Sequence, residues 1–222
     1  MNVQRIRVLR GPNLWSRHTA VEAIVQCSAA ESSPDATHGL VLRLRRLFPA
    51  LGPVRVRGPR LGLPHLLEAA ALALQAQAGC PVSFSRTAAT AEPDLWQVVV
   101  QYSEEAVGRL ALELAAELIA AVVADTAFDV GAAIARLREL DEDERLGPST
   151  GCIVHAAAAR GIPAQRLTSG SLVRLGWGTR QRKIWAAEVD STSAVAESIA
   201  QDKGLSKRLL AAAGVPVRSG RP

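Results

Sequence analysis

His65 and Glu68 stand three residues apart in the Leu- and Ala-rich run from Pro64 to Ala78. A helix there brings the imidazole and the carboxylate onto one face, with Ala69 beside them. The plain reading is an i, i+3 pair on a helix surface. Glu104 and Glu105 suit the first turn of a later helix, where carboxylates meet the positive end of the dipole. Arg10, Asn13, Trp15 and Arg17 gather around Gly11-Pro12, which reads as a turn after a strand, with Trp15 as a core anchor. Ser206, Lys207 and Arg208 suggest phosphate binding, but Gly204-Leu205-Ser206-Lys207 lacks the G-x-x-x-x-G-K-[ST] spacing of a P-loop. Lys203 and Lys207, one turn apart, read as solvated. Cys27, Cys80 and Cys152 are odd in number and widely spaced. They match neither a disulfide framework nor a metal knuckle, which implies small buried thiols in a reduced, cytoplasmic protein.

These groups need a scaffold, and 222 residues with 48% hydrophobic content can bury a real core in one or two domains. Charge interrupts every apolar run, so no membrane span is expected. Met1 to Arg10 has no apolar core segment of a signal peptide. The net charge of +5 is uneven: residues 1–60 carry ten Arg against Glu22, Glu31 and Asp35. Such a basic third can contact an anion, nucleic acid included, or be an Arg-rich solvated surface. Beyond Trp15 no aromatic platform interleaves these arginines, and no nucleic-acid module is recognisable.

Ile6 and Val8 alternate with Arg5 and Arg7, so Gln4 to Arg10 reads as a half-buried strand, and Val21 to Gln26 as a second. Cys27 to Thr37 reads as a loop. A helix then starts at Thr37 or His38 with Leu40, Leu44 and Leu47 on one side. Pro49 to Gly62 is a long connection with a possible short strand at Val54-Arg55-Val56. A helix follows from Pro64 to about Ala78, with strands at Val82 to Arg86 and Leu95 to Tyr102. Ser103 is expected to cap a long helix whose Val107, Leu110, Leu114, Leu118 and Val122 share a face. A further helix from about Asp129 ends in Asp141-Glu142-Asp143-Glu144, and that acidic run before Gly147-Pro148 marks a domain boundary. Residues 1–145 thus read as an α+β sandwich.

From Leu146 the pattern changes. Pro148-Ser149-Thr150 is expected to cap a helix that stops at Gly161, and two β-rich runs around Gly178-Thr179-Arg180-Gln181-Arg182 predict a hairpin. Ser206 and Gly214-Val215-Pro216 bracket a last short helix. This order, through Gly176-Trp177-Gly178 and Asp202-Lys203-Gly204, resembles the opening of an ATP-grasp ligase domain, and more closely that of the cyanophycin synthetase family. Leu9-Arg10-Gly11-Pro12-Asn13-Leu14-Trp15-Ser16 resembles that family's first signature. Gly79-Cys80-Pro81-Val82-Ser83-Phe84-Ser85-Arg86-Thr87 and Tyr102-Ser103-Glu104-Glu105-Ala106-Val107-Gly108-Arg109 fit it as well. The resemblance covers essentially the whole chain, as an N-terminal domain (1–145) plus an incomplete ATP-grasp segment (146–222).

The resemblance implies a ligase that adds Asp, then Arg, to the polymer cyanophycin through acyl phosphates made from ATP with magnesium. The Gly-rich lid, Lys and magnesium carboxylates of that chemistry have no match here, so no cofactor is expected on this chain alone. The implied share of this chain is polymer binding and support of the remaining ligase, in a parent that is a homo-oligomer. Implied polymer contacts are Arg10, Asn13, Trp15, Arg17 and Arg86, with Arg gripping carboxylates and Asn13 or Trp15 meeting guanidinium groups. Some relatives carry H-x-x-E-H, an inverted zincin motif, where this chain has His65, Glu68 and Ala69, with Glu105 matching the downstream carboxylate. With Ala69 in place of the second His, these three read as a vestigial metal site, which argues against a zinc hydrolase. A stand-alone basic module for a polyanion such as nucleic acid is the alternative.

Overall fold

A computed structural model describes residues 1–28, 31, 34–54, 61–186 and 188–218, and divides into two compact units, Met1–Arg145 and Leu146–Pro222. The first unit is built on an antiparallel sheet of β1 (Asn2–Leu9), β2 (Ala20–Gln26), β3 (Ser85–Ala89) and β4 (Leu95–Gln101), in the order β1-β2-β4-β3. Among the described residues, helices α1 (Pro34–Leu47), α2 (Leu63–Ala78), α3 (Glu105–Ala124) and α4 (Val130–Glu144) accompany it. The mixture of helix and antiparallel sheet is the α+β class.

Register decides which strand residues meet the helices. Val8 opposes Val21, which opposes Val100, while Ile6 opposes Ala23, which opposes Val98. These apolar rows pack with Leu66, Leu67, Leu74, Leu112 and Leu118 of α2 and α3 in one core. Side chains alternate across a strand, so the intervening rows belong to the opposite face.

Helix α2 is buried nearly all round, which its Leu and Ala content permits. Its start is tied by the His65 imidazole, whose Nδ1 accepts the Gly62 N–H at 3.2 Å. Gly79 ends it at φ +101°, where its N–H and that of Cys80 close the last turn on Ala76 and Gln75. Helix α3 buries Val107, Leu114, Leu118 and Val122 as its periodicity predicts, with Leu110 partly buried. A Cβ on Gly108 would come within 2.5 Å of the Tyr102 Cβ, so glycine permits the close approach of α3 to the end of β4.

Several boundaries differ from the expectation. The first helix begins at Pro34, inside the expected loop, because proline is favoured in a first turn. The third strand runs Ser85–Ala89, not Val82–Arg86: Ser83 and Phe84 give their N–H groups to the Gln101 side chain before ladder pairing starts. Ser103 does not cap α3. Glu104 holds that position without capping the helix through its side chain, and the Ser103 hydroxyl donates to Asp141 of α4 instead. Beyond Val54, the short Val54 to Val56 strand lies outside the described residues.

The second unit is a meander of β5 (Ala164–Arg166), β6 (Leu172–Leu175), β7 (Arg182–Trp185) and β8 (Glu188–Val189), preceded by α5 (Pro148–Ala159) and followed by α6 (Ala194–Gln201) and α7 (Lys203–Ala212). The predicted hairpin is β6–β7, around a 3-10 turn at Gly178–Arg180. Gly147, not the Pro148-Ser149-Thr150 run, caps α5; Thr150 is buried and donates to the Ala186 carbonyl. Helix α7 starts at Lys203, ahead of Ser206, because the Asp202 carboxylate accepts the Leu205 N–H at 2.9 Å. No described helix is long and apolar enough to cross a membrane.

Candidate functional site

The face of the first sheet opposite the core carries a row that is polar on three of its four strands. Arg7 of β1 opposes Glu22 of β2, Glu22 opposes Val99 of β4, and Val99 opposes Arg86 of β3. Glu22 interrupts the apolar run from Ala20 to Val25 and is 1% exposed. Its carboxylate is satisfied by donors from three directions: the Arg7 guanidinium, the Trp15 indole N–H at 3.3 Å and the Gln97 amide at 3.2 Å. That convergence is what a buried charge requires. Arg86, exposed at the edge strand, lies over the Trp15 ring at 5.5 Å from its centroid. The indole therefore bridges Glu22 and Arg86, and Val99 between them is fully buried.

The loop from Arg10 to Thr19 holds Trp15 there. Asn13 organises it: its Nδ2 donates to the Gly11 and His18 carbonyls, and its Oδ1 accepts the N–H groups of Trp15 and Ser16. With its amide committed to these bonds, Asn13 acts as an Asx turn that aims Trp15. The indole is half-buried and not among the residues of the helix-side core, so the core-anchor reading of Trp15 is corrected: its packing is against the other face. Arg10 reaches Glu105, its Nε donating at 2.7 Å and its Nη2 at 3.2 Å. Arg17 is exposed.

Of the expected polymer contacts, Trp15 and Arg86 are thus side by side, Asn13 supports them, and Arg10 is paired with a carboxylate of the chain itself. Arg7, Glu22 and Gln97 were not singled out from the sequence. The signal was available as an arginine alternating with Ile6 and Val8, and a lone glutamate within Ala20-Val21-Glu22-Ala23-Ile24-Val25.

Of the vestigial metal candidates, His65 and Glu68 lie together on α2, whereas Glu105 is engaged by two arginines. Glu105 sits between Arg10 and Arg109, which hold its carboxyl below the usual carboxylate range, the Arg10 hydrogen bond first among the causes. Glu68 is buried on α2 and accepts the Ser85 hydroxyl at 2.7 Å. His65 faces Trp96 edge-on at 5.5 Å, and burial pushes its imidazole below the ordinary histidine value against the pull of Glu68. Because Nδ1 accepts the Gly62 N–H, the proton of the neutral ring is on Nε2. Among the described residues, no three or more His, Cys, Asp or Glu come together to hold a metal ion. In the second unit, Arg174 stacks on the exposed Trp177 at 4.8 Å, and Lys203 and Lys207 face solvent.

Residues 22–124, which run from β2 to the end of α3 and leave out β1, match the family described as the cyanophycin synthase-like N-terminal domain. Over 99% of its length the chain is also similar to full-length curated proteins. The cyanophycin synthetases of Trichormus variabilis and Nostoc sp. are each 36% identical over 239 aligned residues, and that of Geminocystis herdmanii is 32% identical. Residues 22–124 thus belong to the cyanophycin synthase-like N-terminal domain family, and the chain as a whole is similar to cyanophycin synthetases. It spans about a quarter of the length of these relatives, 26% of the first two and 27% of the third.

Proposed function

We propose that this chain serves a cyanophycin synthetase by holding the aspartate–arginine polymer against the open face of its first sheet. The observation that carries this reading is the row Arg7–Glu22–Val99–Arg86 with Trp15 laid across it. The polymer offers both carboxylates and guanidinium groups, and the face offers a partner for each. Arg86, with Arg17 on the loop beside Trp15, presents a guanidinium that can take a carboxylate in two parallel hydrogen bonds. Trp15 already accommodates one guanidinium on its ring, which supports a second stacked from the polymer. Glu22 fixes the indole rather than the ligand, since its oxygens are satisfied and buried.

Residues 146–222 are proposed to open an ATP-grasp ligase domain. Support comes from the succession of α5, the β6–β7 hairpin and α7, together with the residues that resemble that domain's first segment. Binding of ATP and magnesium, ligation and assembly into an oligomer would then involve further parts of such a ligase. For His65 and Glu68, zinc-dependent cleavage is disfavoured. Ala69 offers no ligand, one ring nitrogen of His65 is engaged by Gly62, and Glu105 is held by two arginines.

The test is co-sedimentation of the purified chain with the polymer, alongside Trp15→Ala and Arg86→Ala. Each substitution is expected to weaken binding about tenfold, the scale of one charge-assisted contact. Unchanged affinity in both would overturn the assignment of the face. A salt series in the same assay addresses a polyanion such as nucleic acid as the partner. Counterion release predicts a steep linear fall of log affinity with log salt for nucleic acid, and a shallow one for the zwitterionic polymer.

A further inference from the structure

On the other, helix-bearing side of the first sheet is a cavity of about 220 Å³ between α2, the segment from Ala50 to Pro53 and the edge strand β3. Its walls are mostly apolar, with Pro53, Ala69, Leu72, Ala73 and Val82 beside the polar Gln77 and Ser85, and Glu68 is the one acidic side chain among its described lining residues. Glu68 is 5% exposed. One of its oxygens accepts the Ser85 hydroxyl, and among the described residues no Lys, Arg or terminal amine forms an ion pair with it. Burying a carboxylate without a counter-charge is costly, by several kcal/mol per ion in general, and a hydroxyl offsets only part of that.

We propose that this cavity is a binding site for a single alkylguanidinium group, which enters along the apolar walls and pairs with Glu68. Three features select this class. The charge must be positive to complement Glu68. The walls favour a cation with an aliphatic stem, and guanidinium, more weakly hydrated than ammonium, loses less on leaving water. The volume suits the end of one side chain, since pockets for drug-sized ligands start at about 300 Å³. Ala69 leaves this space open, because any longer side chain there would project into it. The site is distinct from the Trp15–Arg86 face and does not rest on that reading.

The experiment is a titration of the isotope-labelled chain with butylguanidinium, followed through backbone amide resonances, on wild type, Glu68→Gln and Ala69→Met. Gln keeps the volume and an acceptor for Ser85 but removes the charge, while Met fills the space from an incompletely buried position. Saturable shifts centred on Leu72, Ala73 and Ser85 are expected in wild type, with affinity reduced at least about tenfold in each variant. Absence of saturable shifts at these amides, or equal affinity in wild type and Glu68→Gln, would overturn the proposal. Butylammonium should bind more weakly than butylguanidinium, and the reverse order would overturn the preference for guanidinium. Free arginine and the aspartate–arginine polymer, titrated in the same way, identify the source of the group. Loss of polymer binding in Trp15→Ala with intact butylguanidinium binding would separate this site from the open face.

Discussion

At the scale of single residues, Glu22 and Glu105 show how two carboxylates on one unit serve different ends. Glu22 is enclosed and anchors Trp15, whereas Glu105 is a partly exposed link between Arg10 and Arg109. In Arg10→Ala the Glu105 pKa should rise toward the ordinary value of about 4.3, measurable by carboxyl-carbon NMR. No change would mean that the hydrogen bond does not hold in solution. Since the folded pKa lies below the unfolded one, the pair stabilises fully above the unfolded value and ceases to do so as pH falls through the folded value. Gly108→Ala should cost about 1–3 kcal/mol in denaturant unfolding, because its methyl meets the Tyr102 Cβ rather than a flexible chain end. Trp15 and Arg86 could be picked out in the sequence as residue types suited to a charged polymer. Their contact could not, because it depends on a strand register that joins positions 71 residues apart.

At the scale of elements, sequence periodicity carried the interiors and local competition decided the ends. The helical spacing of Val107, Leu114, Leu118 and Val122 is met by burial of all four, and Leu118→Ala should cost about 2–5 kcal/mol. Helix starts were less legible. Ser103 and Ser206 both look like caps, yet Ser103 is drawn to Asp141, and Asp202 captures the start of α7 one turn before Ser206. Asp202→Ala should therefore lower the stability of α7, by about 0.5–2 kcal/mol, as seen in hydrogen exchange of its first turn, while Ser206→Ala should leave that turn unprotected no more than wild type. The vestigial metal candidates follow the same rule. Glu105 begins a helix whose first turn faces Arg10, which spacing along the chain cannot reveal.

At the scale of the whole molecule, the two units differ in how much they bury. The first has an extensive core between sheet and helices, whereas the described buried residues of the second are Thr150, Ala157, Val173 and Ile184. Limited proteolysis should therefore cut first within residues 146–222 and leave a fragment ending near Arg145; equal protection of both units would contradict this. The acidic run at Asp141 to Glu144 was visible as a change in composition, and the units divide just after it, between Arg145 and Leu146. The chemistry of the open face is visible only once the sheet is assembled. The most direct measurement of its proposed role is the indole N–H resonance of Trp15 as polymer is added, with the exposed Trp177 and Trp185 as internal controls. Polymer that docks on this face should shift the Trp15 signal saturably and leave the two controls in place. Saturable polymer binding with the Trp15 resonance unmoved would contradict the account.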